Sequence, residues 1–149
     1  MASQEKSDIL YSEYFTIIQK VINRMAQNSF LIKAWLVTIV AAIFVLTFSI
    51  LNILIFGVLL IISIIFWTLD SYYLKIERLY RHLYNSKVEE FNNDQKRKGM
   101  VLFDMNFKPY VNQEKKVPRI MISKSEALFY MPIIGALAAF FIASIVIIL

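Results

Sequence analysis

Lysine and arginine side chains gather in two stretches of this sequence, and both stretches also carry aromatic residues. The stretch 70–91 contains Arg78, Arg81 and His82 among several tyrosines. The stretch 92–125 is more basic, and its candidate contacts are Lys96, Arg97, Lys98, Lys115, Lys116 and Arg119. Cations of this kind bind phosphate groups, and neighbouring aromatic rings stack on bases. We therefore predict that these residues bind an anionic nucleotide or oligonucleotide, DNA included.

A second explanation of the same charges stays open. Anionic lipid headgroups attract each nearby lysine or arginine by about 1 kcal/mol, which accounts for a basic stretch without any soluble ligand. Lys75 and Arg78 lie next to an apolar stretch, so their side chains can extend to such headgroups. The sequence has neither a phosphate-binding glycine loop nor a dinucleotide fingerprint, so the pattern identifies no particular nucleotide.

Residues for catalysis or metal binding are scarce. The sequence contains no cysteine and one histidine, which excludes disulfides, thiolate metal sites and a cysteine nucleophile. His82 has no carboxylate or nucleophile at a motif spacing. We therefore predict a protein that is not an enzyme, with no catalytic residue, no metal site and no cofactor.

The elements that must position these side chains follow from two long uncharged stretches. Residues 34–69 and 127–149 contain no charged side chain, and a helix needs roughly 20 residues to cross a bilayer core. The first stretch is long enough for two spans with a turn at 49–52, and the second gives a third span. Only helices satisfy their backbone groups inside lipid. The sequence, 58% of it hydrophobic, thus predicts an all-α membrane protein with three transmembrane helices.

The distribution of basic residues predicts the orientation. Residues 1–33 contain four of the lysines and arginines, and residues 70–126 contain the other twelve. A hairpin at 34–69 places both segments on one side, and the positive-inside rule makes that side cytoplasmic. We expect a cytoplasmic N-terminal helix (1–33), a transmembrane hairpin (34–69), a cytoplasmic helix with a basic segment (70–126) and a third span (127–149) that leads outside.

Two amphipathic patterns predict helices in the cytoplasmic part. Residues 8–27 carry an apolar stripe formed by Leu10, Tyr14, Ile17, Ile18, Val21 and Met25. Ser7 or Asp8 can cap that helix, while Asn28–Ser29 offers a cap or kink before the first span. A second stripe follows Asp70 without a glycine or proline, so the second span should continue as one long helix to about residue 91. We expect these two helices to pack on each other. The alternative, in which the first lies flat on the membrane surface, stays open.

The segment after residue 92 is harder to assign. Residues 101–107 alternate between apolar and polar side chains as a half-buried strand does, and 117–122 could pair with them as an edge strand interrupted by Pro118. A small β-hairpin is therefore one option for this basic segment. Ser123 and Glu126 have the spacing of a capping box that would open the third span.

Small and polar residues inside the spans suggest two further roles. Gly135, Ala139 and Ala143 recur at every fourth position, which lets membrane helices approach closely, within one chain or between copies. None of the polar residues inside the spans is ionised, which argues against a proton relay or an ion-coupled transporter. Hydroxyl and amide side chains can still line a channel, and the candidates are Thr38, Asn52 and Ser63.

Two motifs carry a resemblance to known proteins. They are Asn28-Ser29-Phe30-x-Ile32-Lys33-x-Trp35 and Phe66-Trp67-x-Leu69-Asp70-x-Tyr72-Tyr73-Leu74-x-x-Glu77-Arg78-Leu79-Tyr80-Arg81. Together they resemble small bacterial membrane proteins that include transmembrane effectors of anti-phage defence operons, such as the Hailong system. The resemblance implies a channel in the bacterial inner membrane, controlled by a nucleic-acid-like signal from a nucleotidyltransferase encoded nearby. It covers about a quarter of the chain and carries over no individual ligand residue.

The leading functional hypothesis is therefore an oligomeric pore opened or closed by an anionic ligand on its cytoplasmic part. Three spans are too few to enclose a pore, so a channel requires a homo-oligomer. The alternatives are a membrane anchor that docks a soluble partner protein and, third, a structural protein of the lipid surface.

Overall fold

The structure is a computed structural model that describes the backbone of residues 2–47 and 53–148 and the side chains of residues 7–46 and 53–146. Its helices are α1 (Ala2–Thr47), α2 (Ile53–Asn92), α3 (Asp94–Arg97), a 3-10 helix (Lys108–Gln113), α4 (Val117–Met121) and α5 (Lys124–Ile148). Helices α1, α2 and α5 are each long and apolar enough to cross a membrane. The predicted all-α class with three such helices is confirmed, and it fits a multi-pass membrane protein. The predicted turn at 49–52 lies outside the described residues.

Both long helices are continuous. Helix α2 contains 40 residues and passes Asp70 without a break, as the lack of glycine and proline there predicted. Helix α1 contains 46 residues, so the predicted caps at Ser7 or Asp8 and at Asn28–Ser29 are wrong. Ser29 lies in the interior of α1, where no helix start needs a cap, and its hydroxyl instead donates a hydrogen bond to the Asp70 carboxylate.

The chain divides into two compact units. The polar unit comprises Met1–Gln27 and Leu74–Lys115, and the apolar unit comprises Asn28–Tyr73 and Lys116–Leu149. The long helices α1 and α2 each contribute one segment to the polar unit and another segment to the apolar unit.

The core of the polar unit is formed by α1 and α2. Tyr14, Ile18 and Ile22 of α1 are buried together with Leu83 of α2. The stripe on α1 is thus a packed face, which supports helix packing over a helix that lies flat on a membrane. The buried face is slightly rotated from the predicted one, because Ile17 is 39% exposed whereas Ile22 is 7% exposed.

The predicted β-hairpin is absent, since none of the described residues forms a strand. Phe103 has φ 62°, a left-handed conformation that no extended strand accommodates. The Asp104 and Asn106 side chains then accept hydrogen bonds from backbone N–H groups two residues ahead, which folds the segment into turns. The second predicted strand is helix α4, where Pro118 lies in the first turn and its missing N–H needs no partner.

In the apolar unit, α1, α2 and α5 pack through aliphatic and aromatic side chains. The buried core is Phe56, Leu59 and Leu137. The rings of Trp67 and Tyr130 stack with centroids 5.5 Å apart, which fixes the start of α5 against α2. Pro132 lies inside α5 and supplies no N–H to the helix.

Candidate functional site

The three long helices each place one charged side chain in a single cluster of the apolar unit. Lys33 of α1 pairs with Asp70 of α2, and its ammonium nitrogen lies 3.0 Å from Oε1 of Glu126 on α5. The same nitrogen donates to the Ser29 hydroxyl at 3.3 Å. One ammonium group thus connects three helices.

Asp70 is the best satisfied member of this ion cluster. It is fully buried, and its carboxylate accepts hydrogen bonds from the Ser29 hydroxyl, the Lys33 ammonium and, at 2.9 Å, the Tyr130 hydroxyl. Three donors offset much of the cost of removing a carboxylate from water. Tyr130 is fully buried as well, so the stacked ring and the hydroxyl both hold α5 in place.

Glu126 differs from Asp70 in its hydrogen bonds. Its side chain is 2% exposed, and Oε1 accepts from Lys33, but Oε2 is buried with no hydrogen-bond partner. The predicted capping box is therefore wrong. The Ser123 hydroxyl has no partner either, and the Glu126 carboxylate is used by Lys33. Buried polar atoms without a partner are costly, so Oε2 of Glu126 needs an explanation.

Sequence reasoning missed this cluster, although a signal was present. Lys33 and Asp70 are the charged residues that flank the first uncharged stretch, and Glu126 is the one that precedes the second. Spans that share a membrane boundary bring such flanking charges to the same depth. One cation and two carboxylates there predict contact.

The polar unit contains a second candidate site, a cleft between α1 and α2. The cleft has a volume of about 340 Å³ and is lined by Gln19, Ile22, Asn23, Arg81, Tyr84 and Asn85. The Gln19 amide donates to the Tyr84 hydroxyl at 2.9 Å, which connects the two walls. Of the predicted ligand residues, Arg81 lies here. The three carboxamides were not predicted, because isolated asparagine and glutamine residues carry no motif.

Most of the predicted ligand residues have acidic partners within the chain. Arg81 pairs with Glu77 one turn earlier, while Arg78 and His82 both contact the Glu114 carboxylate at 3.4 and 3.5 Å. Burial alone would raise the pKa of Glu114. The hydrogen bond from the Lys115 backbone N–H and the charge of Arg78 outweigh it, and together they lower that pKa. Arg78 and His82 thus share one acidic partner within the chain.

The remaining basic candidates divide into paired and unpaired residues. Arg97 pairs with Asp8 at 2.8 Å and stacks over the Phe91 ring, and Lys96 pairs with Glu89 at 3.5 Å. Within the described part of the chain, four exposed candidates form no ion pair, namely Lys98, Lys115, Lys116 and Arg119. The structure does not gather all nine predicted residues into one site.

The predicted channel and packing residues occupy different surroundings. The Thr38 and Ser63 hydroxyls donate to backbone carbonyls one turn earlier on their own helices, and Ser63 is fully buried. Asn52 lies outside the described residues. Gly135, Ala139 and Ala143 are exposed, and a Cβ added at Gly135 would meet no atom within 4 Å. The small-residue face (Gly135, Ala139 and Ala143) is therefore exposed in the described chain, and it is open around Gly135.

Comparisons of this chain with protein-family models, with curated proteins and with solved structures gave no match. The resemblance to defence effectors thus stays a prediction.

Proposed function

We propose that this chain is a subunit of an oligomeric membrane pore whose conductance is controlled by an anionic nucleotide or oligonucleotide bound to the polar unit. One observation carries the proposal. The two walls of the polar cleft belong to α1 and α2, and each of these helices continues unbroken into an apolar stretch long enough to cross a membrane. A ligand that changes the packing of α1 on α2 therefore acts on the same two helices that contribute apolar segments to the other unit.

The chemistry of the cleft suits a nucleotide. Its volume of about 340 Å³ is within the usual size of small-molecule sites. The guanidinium of Arg81 can bind phosphate oxygens, and the carboxamides of Gln19, Asn23 and Asn85 can pair with base edges through both donor and acceptor atoms. Arg81 is 59% exposed, so its pair with Glu77 can yield to a phosphate at little cost.

The small-residue face supports self-assembly. Small side chains at every fourth position permit close contact between membrane helices, where the hydrophobic effect contributes little. A single chain leaves this face uncovered around Gly135. A second copy of α5 is a suitable partner, and several copies are required because three helices cannot enclose an aqueous path.

The ligand half of the proposal is tested by charge reversal in the cleft. The purified protein is placed in liposomes, and ion flux is measured with and without short single-stranded DNA or cyclic nucleotides. Arg81→Glu should abolish the effect of the ligand on ion flux. The ion flux measured without ligand should stay unchanged. Lys108→Glu makes the same change at an exposed lysine away from the cleft and should respond normally. Salt should weaken ligand binding steeply if phosphates dominate it.

The assembly half is tested by adding bulk to α5. Gly135→Leu and Ala139→Leu should reduce the oligomer mass in detergent and the ion flux in liposomes. Ala42→Leu is the matched control, since Ala42 is an exposed small residue of another long helix. Unchanged mass and flux in both α5 variants would show that this face contacts lipid.

A second candidate function, a membrane anchor for a soluble partner protein, is favoured by exposed apolar side chains on the polar unit. Ile9 is 55% exposed, Val101 64% and Phe103 46%. A neighbouring gene for a nucleotidyltransferase would favour the pore and a defence role, whereas a neighbouring soluble enzyme would favour the anchor. If the protein shows neither ion flux nor salt-sensitive ligand binding, the membrane anchor becomes the preferred function.

The proposed topology places the polar unit in the bacterial cytoplasm and the end of α5 outside. Reporter fusions at Asn93 and after Leu149 test it. A cytoplasmic signal at Asn93 and an external signal after Leu149 are expected, and the reverse pair of signals would contradict the proposal.

A further inference from the structure

We propose that the ion cluster of the apolar unit is a proton-binding site in which Glu126 carries an exchangeable proton, and that the attachment of α5 to α1 and α2 depends on it. This inference goes beyond the proposed pore, because it concerns charged residues of the apolar unit that the proposed ligand site does not include.

The charges of the cluster require a proton. One ammonium group, that of Lys33, contacts two carboxylates whose side chains are 0% and 2% exposed. With all three groups ionised, the cluster carries one net negative charge inside a unit built mainly of apolar side chains. An unpaired buried charge is far more costly than a neutral polar group. One bound proton makes the cluster neutral.

The hydrogen bonds identify the carboxylate that holds the proton. Asp70 accepts from Ser29, Lys33 and Tyr130, an arrangement that stabilises the ionised form. Glu126 accepts from Lys33 through Oε1, and its Oε2 is buried without a donor. A proton on Oε2 removes the charge that lacks a partner, and the hydroxyl so formed can donate to the neighbouring Asp70 carboxylate, while Oε1 still accepts from Lys33.

Each of the three long helices places one other charged or titratable side chain in the cluster that contains Glu126. Helix α1 contributes Lys33, helix α2 contributes Asp70, and α5 itself contributes Tyr130, whose hydroxyl is already donated to Asp70. Both carboxylates contact the same ammonium nitrogen, so they lie close to each other. Loss of the proton thus places a second negative charge beside Asp70 with no second cation to offset it.

The consequence for stability has a definite sign. With the proton bound the buried cluster is neutral, and without it the cluster carries one net negative charge, so the stabilisation that the cluster provides is lost when the pH is raised far enough to remove the proton. Deprotonation should loosen the first turns of α5, where Glu126 and Tyr130 attach it to the other helices.

Infrared spectroscopy of the full-length protein in lipid tests the proposal directly. A protonated carboxylic acid has a carbonyl stretch that a carboxylate lacks. At neutral pH this band should be present, should shift when glutamate but not aspartate is isotope-labelled, and should vanish in Glu126→Gln. The matched control Glu89→Gln, at a surface residue 78% exposed, should keep the band.

A second measurement follows the attachment of α5. In a Trp35→Phe background, which leaves Trp67 as the single tryptophan, the emission of Trp67 stacked on Tyr130 should change as the pH is raised. The same change is expected when Glu89→Gln is added, and no change when Glu126→Gln is added. Labelling of the wild-type chain needs no substitution, so the infrared test stands even if Glu126→Gln fails to fold. Absence of a glutamate carboxylic acid band at neutral pH would overturn the proposal.

Discussion

The polar and apolar units use the same charged residue types under different conditions. In the polar unit, Arg97 and Asp8 form a pair that is 33% and 58% exposed, and several similar pairs lie on the same surface. In the apolar unit, one lysine with two carboxylates forms a cluster whose acids are almost fully buried. Water can replace a lost partner in the first unit but not in the second. Identical residue types therefore differ greatly in what their removal costs.

The largest effect should come from removing the shared cation. Lys33→Ala leaves the Asp70 carboxylate buried without a counter-charge, which should cost about 3–5 kcal/mol of unfolding free energy. Denaturant unfolding of the protein in detergent measures it.

Lys96→Ala is the matched change in the polar unit, where the pair with Glu89 is exposed on both sides. It should alter stability by less than about 1 kcal/mol. Equal losses for the two variants would contradict the difference between the units.

The next effect compares two fully buried tyrosines, one in each unit. Tyr130→Phe removes a hydrogen bond to a carboxylate and should cost about 1.5–3 kcal/mol, whereas Tyr14→Phe removes one to the backbone carbonyl of Asp104 and should cost about 0.5–1.5 kcal/mol. Thermal unfolding of both variants beside the wild type gives the order, and a larger loss for Tyr14→Phe would be the contrary result.

A smaller, pH-dependent effect concerns Glu114. Because its pKa in the folded protein lies below the ordinary value of 4.5, its contribution is complete above that value and is lost as the pH falls through the lower folded pKa. In Glu114→Gln, the free energy of unfolding should therefore fall less steeply as the pH is lowered below 4.5. Glu89→Gln, at an exposed pair, should leave that slope unchanged.

The smallest effect is expected at Asp8. Asp8→Ala breaks an exposed pair with Arg97, which also stacks on the Phe91 ring, so the loss should be about 0.2–1 kcal/mol. Raising the salt concentration should reduce the difference from the wild type further. A loss that persists in high salt would indicate that Asp8 has another role.

The membrane helices were predictable because they depend on composition alone. Uncharged stretches such as 127–149 admit no other structure in lipid. The strand predicted at 101–107 failed for a local reason, since alternation does not reveal the left-handed backbone at Phe103. The predicted caps at Ser29 and Ser123 failed for a tertiary reason. The Ser29 hydroxyl donates a hydrogen bond to the Asp70 carboxylate, and Glu126, the expected partner of Ser123, accepts a hydrogen bond from Lys33.

The sites were less predictable than the fold. A basic residue in a sequence shows its charge but not its partner, so the sequence did not reveal that Arg78 and His82 both contact Glu114. The cleft needs Gln19 and Asn85 from helices far apart in sequence. Such proximity requires the register of α1 against α2, which periodicity alone does not give.

Pro132 has a mechanical consequence for the third long helix. Because proline has no N–H, the carbonyl of Leu128 lacks its usual partner, and the helix can bend there at low cost. Pro132 separates a short leading segment, anchored through Glu126 and Tyr130, from a trailing segment that carries the small-residue face. Because the missing hydrogen bond lies at this position, the angle between the two segments can change there without the loss of a further backbone hydrogen bond.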